Sequence, residues 1–306
     1  MRRLALLLAL TAFAVPSTAV AAPAHHAPRV GIADQKTTMF TDPLFADLGI
    51  RQARLVVPWD AMRGGVELAE LRQWLAAARA TKVTPLLSFG HSRRTGRQRV
   101  RPTPTQLQRE FRRIRTAFPW VREFVVWNEP NHCSQPLCKT PEIAARYFDA
   151  MTRACRTCTI LGPEVLDSPN LRSWVRRFRA KAKHEPKAWG LHNYIDANRF
   201  KTNGTRTMLA ATTGELWLTE TGGIVNRTAT VKIPFEESPA HAADAVRWLF
   251  DRLVPLSPRI RRVYLYHWNP STPTDTWDSA LLDLQGRARE SYRVVKARIA
   301  RGTARG

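Results

Sequence analysis

Short apolar runs alternate with longer segments of helical periodicity along most of this 306-residue chain. Eight of these runs are rich in β-branched and aliphatic residues, and they predict β-strands. The predicted strands cover residues 30–33, 53–57, 83–89, 123–127, 159–162, 188–194, 216–219 and 263–268. Several are apolar at consecutive positions, which is typical of a parallel sheet covered by helices.

The segments between these runs predict helices. Leu68, Leu71, Leu75 and Ala78 recur at helical spacing, and several segments begin at Pro or Asn, which favour helix starts. The predicted helices cover residues 68–80, 104–117, 141–156, 170–183, 239–254 and 290–300, with shorter ones near 42–48 and 206–211.

Strand and helix follow each other at intervals close to the roughly 30 residues of one βα unit. Eight such units predict an α/β fold, a single-domain (β/α)8 TIM barrel over residues 22–306. A doubly wound sheet is the alternative, but no glycine-rich phosphate loop follows the first strand. In a barrel, the active site lies in the loops at the carboxyl ends of the strands.

Residues 1–21 are predicted to be a secretory signal peptide. Two arginines precede the apolar stretch 4–15, and Ala19-Val20-Ala21 supplies small residues for cleavage. The apolar stretch is too short to span a bilayer, and no later stretch is long enough. We therefore expect a secreted, monomeric protein that is not held in a membrane.

The four cysteines form two close couples, Cys133 with Cys138 and Cys155 with Cys158. In an oxidising compartment they can pair, and four cysteines allow three connectivities that sequence alone does not separate. The C-x-x-C spacing is also half of a structural zinc motif. Local disulfides within each couple are the simpler interpretation, because a chain of this length folds without a metal. We therefore expect no metal and no cofactor.

The chain is strongly basic, with 48 Lys and Arg against 25 Asp and Glu and a formal net charge of +23. No nucleic-acid-binding motif is present, and much of the charge lies on predicted helices, which face solvent in a barrel. We therefore expect no nucleic-acid partner. A separate cluster after the third strand raises the hypothesis of an anionic glycan substrate, with a solvated loop as the alternative. It consists of Arg93, Arg94, Arg97, Arg99 and Arg101.

Two glutamates stand where strands open into loops. Glu129 follows Trp127-Asn128 at the end of the fourth strand, and Glu220 follows Leu218-Thr219 at the end of the seventh. Hydrolysis of a glycosidic bond needs one protonated carboxyl group beside the leaving oxygen and one ionised carboxylate beside the anomeric centre. These two glutamates can supply both groups.

These motifs resemble those of the clan A retaining glycoside hydrolases, a large group of (β/α)8 barrels that includes family 5 and family 39 members. The resemblance implies that Glu129 is the general acid/base and Glu220 the nucleophile. It also implies that Asn128 holds the 2-hydroxyl of the sugar. The resemblance extends over nearly the whole mature chain.

The same resemblance implies four further site residues. Arg54 on the second strand would steady the Glu220 anion. His192 and Tyr194 match a His-x-Tyr motif whose tyrosine hydrogen-bonds the nucleophile, and Trp268 matches a platform under the cleaved sugar.

The residues expected around each of the two glutamates predict separate roles for them. Arg54 and Tyr194 should lower the pKa of Glu220, whereas apolar Trp127 should raise the pKa of Glu129 and keep it protonated. His91 is a candidate for the wall of the sugar site, and Trp59 and Trp277 are candidates for stacking on sugar rings. Weaker candidates at strand ends are Asp34, His132, Glu164 and Asn269, of which Glu164 is more typical of a structural salt bridge.

The sequence thus predicts a secreted retaining glycoside hydrolase that acts on a poly- or oligosaccharide. A catalytically silent carbohydrate-binding barrel is the alternative, and the presence of both glutamates argues against it.

Overall fold

The computed structural model of this protein describes residues 27–228 and 234–306, so the predicted signal peptide lies outside the described residues. The strands are β1 (Arg29–Ala33), β2 (Gln52–Pro58), β3 (Thr84–Gly90), β4 (Glu123–Val125), β5 (Thr159–Leu161), β6 (Glu164–Leu166), β7 (Ala188–His192), β8 (Glu215–Thr221), β9 (Asn226–Arg227), β10 (Ile260–Tyr266) and β11 (Trp277–Asp278). The α-helices are α1 (Pro43–Leu48), α2 (Val66–Ala80), α3 (Pro104–Ala117), α4 (Pro141–Ala154), α5 (Leu171–Arg179), α6 (Tyr194–Asn198), α7 (Asn203–Ala211), α8 (Pro239–Trp248) and α9 (Glu290–Ala300). Within the described residues, no helix has the length and apolar character needed to cross a bilayer.

Nine strands form one parallel sheet in the order β5-β4-β3-β2-β1-β10-β8-β7-β6. Its two end strands, β5 and β6, are halves of one strand that is interrupted at Gly162 and Pro163. The Gly162 N–H donates to the carbonyl of Ala188 (2.9 Å), and the Glu164 N–H donates to the carbonyl of Trp127 (3.2 Å). The interrupted strand therefore joins β4 to β7, and the predicted (β/α)8 barrel is confirmed.

All eight predicted helices are present, and they differ from the prediction at their ends or, in one case, by an internal break. Two helices stop early, α4 at Ala154 and α5 at Arg179. The segment predicted as one helix over 239–254 divides into α8 and a π-helical turn at Leu249–Leu253. The sixth predicted strand ends at His192, because the chain turns there into the short helix α6.

Both cysteine couples are disulfide-bonded, as the local interpretation predicted. Cys133 pairs with Cys138 and Cys155 with Cys158, at Cα–Cα distances of 4.9 and 5.5 Å. The first bond closes the loop that follows β4, and the second closes the turn between α4 and β5. All four thiols are used in these bonds, which leaves none for a zinc ion.

The interior of the barrel changes character along the strands. At the amino end, Arg262 donates to Glu123 (2.7 Å) and lies 3.7 Å over the ring of Trp217. An apolar layer that includes Leu86 and Tyr264 covers this ion pair. The carboxyl end is polar instead, and this end carries the candidate site.

Candidate active site

Residues from separate strands converge at the carboxyl end of the barrel. Parallel strands place all their carboxyl ends at one edge, so residues far apart in sequence become neighbours there. The converging residues are Arg54 on β2, Asn128 and Glu129 after β4, His192 at the end of β7, Tyr194 at the start of α6 and Glu220 on β8.

Arg54 is the centre of a buried hydrogen-bond network. Its guanidinium makes two parallel bonds to Glu164, Nε to Oε1 at 2.7 Å and Nη2 to Oε2 at 2.6 Å. It also donates to Glu220 Oε2 at 2.8 Å and to Asn128 Oδ1 at 2.6 Å. Burial alone would lower the pKa of Arg54, but the charges of Glu164 and Glu220 hold it above its ordinary value. A permanent positive charge therefore lies beside Glu220.

Glu164 holds Arg54 in place and does not line the cavity over the site. It is fully buried and accepts a hydrogen bond from the Ser88 hydroxyl at 2.6 Å. Burial alone would raise its pKa, but Arg54 and His192 lower the pKa of Glu164 to about 2. A Cβ at Gly190 would lie 2.4 Å from Glu164 Cγ, so β7 needs glycine there. Of the two roles weighed from the sequence, the salt bridge is correct.

Each carboxylate oxygen of Glu220 accepts one hydrogen bond. Arg54 donates to Oε2, and the Tyr194 hydroxyl donates to Oε1 at 3.2 Å. Burial and the charge of Glu220 raise the pKa of Tyr194 well above its ordinary value, so the phenol keeps its proton. The contacts that the resemblance implied for Arg54 and Tyr194 are present. They hold both oxygens of the Glu220 carboxyl group in place.

The pKa of Glu129 differs in direction from the sequence-based expectation. Burial alone would raise its pKa, as expected from the sequence, but the hydrogen bond and charge of His192, with the charge of Arg54, lower the pKa of Glu129 below its ordinary value. The expectation of a raised pKa is therefore wrong for this structure. Glu129 also has a left-handed backbone (φ 46°), a strained conformation that is common at functional sites.

His192 is the direct partner of Glu129, with Nδ1 2.8 Å from Oε1. The imidazole is fully buried. Burial alone would lower its pKa, but the charge of Glu220 and hydrogen bonds to Glu129 and Glu164 raise the pKa of His192 to about 9. Glu129 and His192 therefore hold a shared proton at neutral pH.

One oxygen of Glu129, one oxygen of Glu220 and one ring nitrogen of His192 lie within 4.8 Å of one another. Such a set has the donor types of a metal site. However, the guanidinium of Arg54 lies 2.8 Å from Glu220, and a second cation beside this permanent charge would be repelled. The arrangement is better suited to acid–base and nucleophilic chemistry between two carboxyl groups.

A cavity of about 260 Å³ opens over the two glutamates. Five of its wall residues were not predicted from the sequence, and these are Gln35, Val56, Pro58, Gly90 and Tyr266. His91 lines the cavity as expected, and its Nδ1 lies 3.3 Å from Gln135 Oε1. The cavity wall consists of Gln35, Val56, Pro58, Gly90, His91, Arg93, Asn128, Glu129, Glu220 and Tyr266.

Trp268 does not form the expected platform. Its side chain is buried, with 1% of the residue exposed, and its ring packs edge-on against Phe45. Its indole N–H donates to Asp42 at 2.9 Å. Tyr266, two residues earlier, is the aromatic residue at the cavity wall. The signal for it was the alternation along β10, which places Tyr266 on the same face as the interior residue Tyr264.

The two remaining tryptophan candidates differ. Trp59 is buried, with 1% exposed, and so offers no face to a sugar. Trp277 is half-buried, packs edge-on against Tyr194 with 4.9 Å between ring centroids, and lines a cavity next to the catalytic one. Only Trp277 of the two is placed to contact a substrate.

The weaker candidates have structural contacts. Asp34 accepts a hydrogen bond from the backbone of Trp268 at 2.8 Å. His132 is exposed and bonds Ser134, and the carbonyl of Asn269 accepts a hydrogen bond from a lysine ammonium. None of the three lines the catalytic cavity.

Of the five arginines in the cluster after β3, one lines the cavity and four contact other groups of the protein. Arg93 lines the catalytic cavity and forms an ion pair with Glu70 at 3.1 Å. The other four contact protein groups: Arg94 the carbonyl of Gly64, Arg97 the carboxylate of Asp60, Arg99 the carbonyl of Cys133, and Arg101 the hydroxyl of Thr140.

This protein is a parallel-stranded barrel with two glutamates and a buried arginine beneath one cavity. That arrangement is typical of glycoside-hydrolase barrels. Residues 103–293, more than half of the chain, match the family model described as the glycosyl hydrolase catalytic core. The chain therefore belongs to this family and is a glycosidase. No curated protein sequence matches the chain significantly.

Solved structures with the same fold are distant in sequence. The GH5_18 protein from Streptomyces cattleya is 16% identical, with a TM-score of 0.64 over 92% of this chain and 82% of that one. Xylanase 10B from Thermotoga maritima is 13% identical, with a TM-score of 0.62 over 91% and 97%. A family 39 glycoside hydrolase from Bacteroides cellulosilyticus WH2 is 14% identical, with a TM-score of 0.58 over 89% of this chain. This chain spans 64% of the length of that family 39 protein. These likenesses show the fold.

Proposed function

We propose that this protein is a secreted, retaining glycoside hydrolase that cleaves a poly- or oligosaccharide by double displacement. The observation that carries the proposal is the approach of Glu129 and Glu220, whose nearest carboxylate oxygens lie within 4.8 Å across the cavity. Retaining enzymes place their two carboxyl groups about 5–5.5 Å apart, whereas inverting enzymes need roughly 6.5–9.5 Å to admit a water.

In the first step, Glu220 attacks the anomeric carbon while the glycosidic bond breaks. Arg54 and Tyr194 hold the attacking carboxylate by one oxygen each. The proton shared by Glu129 and His192 passes to the glycosidic oxygen, and the leaving sugar departs as an alcohol. The product is an ester between Glu220 and the remaining sugar.

In the second step, Glu129 removes a proton from a water, and the water oxygen attacks the anomeric carbon. The ester bond breaks and Glu220 returns to its carboxylate form, so two inversions give net retention. Asn128 lines this cavity, and its side-chain oxygen is bound to Arg54. Its amide nitrogen remains as the donor for the sugar 2-hydroxyl.

Secretion and a monomeric state belong to the same proposal. The two disulfides support an oxidising compartment, where such bonds persist. A secretory signal over residues 1–21 would deliver the chain there.

The decisive experiment is trapping with activated 2-fluoro glycosides, followed by mass spectrometry of the digested protein. We expect one sugar on Glu220, because the fluorine slows both steps while the activated leaving group speeds only the first. Glu220→Gln should acquire no label and show no turnover, with an unchanged circular dichroism spectrum. A wild-type protein that binds sugar without ever being labelled would instead be a silent binding barrel.

We further propose that Arg93 favours glycans with carboxylate groups, since it is the only one of the five loop arginines at the cavity wall. Its ion pair with Glu70 is exposed, so a substrate carboxylate can compete for it. We expect kcat/KM for an acidic glycan to fall more steeply with salt than for a neutral one, and Arg93→Gln to remove the difference. Equal salt dependence in the wild type would contradict the preference.

A further inference from the structure

Two further cavities adjoin the catalytic one. The larger, about 380 Å³, shares Gln35, Val56, Pro58 and Arg93 with it. The smaller, about 240 Å³, shares Gln35 and Tyr266. Each is comparable in size to the catalytic cavity, which must hold the sugar that is cleaved. The common walls make the three cavities one continuous groove.

We call these two cavities the larger and the smaller extension. Both lie on the side of the groove away from Glu129. Neither is lined by Asn128, Glu129 or Glu220, and their walls come mainly from β1, β2, β10 and the segments that follow these strands, whereas Glu129 follows β4. The general acid protonates the leaving oxygen, so Glu129 marks the side of the leaving sugar. Sugars in the extensions therefore belong to the glycone, the part that becomes attached to Glu220.

The larger extension has the mixed lining of a sugar site. Lys36, Glu67 and Gln73 offer hydrogen-bonding groups, and the half-buried Val56 offers apolar surface. This cavity shares more wall residues with the catalytic cavity than the smaller one does, so it is the direct continuation for a second sugar.

We infer that the enzyme binds at least two sugars on the glycone side, with the second in the 380 Å³ cavity. It therefore cleaves inside glycan chains or releases short oligosaccharides, and it does not trim single terminal sugars. This inference rests on the proposed function for its direction, because Glu129 defines the leaving side.

The test compares 4-nitrophenyl glycosides that carry one, two or three sugars, in xylo-, gluco- and galacto- series. We expect kcat/KM to rise at least tenfold from one sugar to two. Gln73 is exposed on α2 at the wall of the larger extension, so Gln73→Trp should fill that cavity and reduce the ratio between two sugars and one. Ala76→Trp is the matched control, since Ala76 is exposed on the same helix outside the lining, and it should keep the wild-type ratio.

An active enzyme that prefers the one-sugar substrate, or equal ratios in the two tryptophan variants, would overturn the inference while leaving the proposed function intact. If no glycoside is turned over, the proposed function fails. Calorimetry then measures whether the groove binds sugars, with unlabelled xylose, glucose and galactose and their oligomers of two to six sugars as ligands. Affinity that does not rise from one sugar to two would then overturn the inference as well.

Discussion

One arginine is shared by two carboxylates at the base of this site. Arg54 binds Glu164 through two parallel hydrogen bonds and Glu220 through one. Glu164 shares the guanidinium charge with Glu220, so Glu220 is oriented by Arg54 without being paired to it alone. A nucleophile needs both an ionised state and a reactive lone pair, and this division of charge serves both.

Glu164→Gln should cost stability because it leaves Arg54 with one carboxylate fewer in a buried position. We expect the free energy of unfolding at pH 7 to fall by about 3 kcal/mol. The pKa of Glu164 is lowered from 4.5 to about 2, so its stabilising contribution is present above pH 4.5 and is lost as pH falls toward 2. Urea unfolding at several pH values should show the difference between wild type and variant shrinking over that range.

Glu142→Gln is the control for this loss. Glu142 pairs with Arg177 at 2.8 Å, but half of the Arg177 side chain is exposed to water. Exposed pairs contribute about 0–1 kcal/mol, so this variant should unfold nearly as the wild type does. Equal losses in the two variants would contradict a special role for the buried pair.

His192→Asn should change the pH dependence of catalysis. In the wild type, the proton shared with Glu129 is lost as pH rises through about 9, so the basic limb of kcat/KM should fall near that pH. In the variant, Glu129 must hold the proton alone, and a carboxyl group is a stronger acid than this buried imidazolium. We therefore expect the basic limb to move to lower pH.

The exposed His184 is the control for this shift, and His184→Asn should leave the profile unchanged. A basic limb that stays near pH 9 in His192→Asn would show that the imidazole does not hold the catalytic proton.

Residue order indicated the two glutamates, Arg54 and the His-x-Tyr motif, because they follow one another in the order, and on the strands, that the resemblance implies. It did not indicate which aromatic residue of the last strand faces the cavity. That choice depends on how the chain leaves β10: Trp268 turns outward to Asp42, and Tyr266 remains at the wall. The charge state of Glu129 also depends on a contact with His192 that sequence separation conceals.

Among the elements, the interrupted fifth strand shows the limit of prediction from apolar runs. The run over 159–162 predicted one short strand, and β5 covers three of those residues. Pro163 lacks an N–H for the sheet, and the chain resumes as β6, which carries Glu164. The number of βα units was predictable from spacing, whereas the break could be seen only from the pairing of β5 with β4 and of β6 with β7.

The two disulfides should differ in their effect on function. Both close short loops, with sequence separations of 5 and 3, so each should add only about 1–2 kcal/mol to the free energy of unfolding. The Cys133–Cys138 loop contains Gln135, which contacts His91 at the cavity wall. Removing that bond should therefore also lower kcat/KM.

The matched pair of double serine variants tests this. We expect the Cys155→Ser/Cys158→Ser protein to keep wild-type kinetics with a lower denaturation midpoint, and the Cys133→Ser/Cys138→Ser protein to lose both stability and activity. Equal kinetics in the two proteins would show that the loop after β4 needs no covalent support.

At the scale of the whole molecule, many exposed positive charges and the catalytic charges occupy separate regions of the described chain. The helices carry many exposed arginines, such as Arg112, Arg153 and Arg172. Arg54, by contrast, is 2% exposed and is compensated inside the barrel. Salt in solution screens exposed charges much more than buried ones, so ionic strength should act on substrate capture and leave the chemical step unchanged.

The fluorescence of Trp277 should report on sugar binding. Its half-buried indole stands at the edge of the smaller extension, against the ring of Tyr194, whose hydroxyl contacts Glu220. A sugar that enters there replaces water against the indole, which changes the wavelength and intensity of its emission. Fluorescence titration therefore reads occupancy in a protein that performs no chemistry, including one disabled at Glu220.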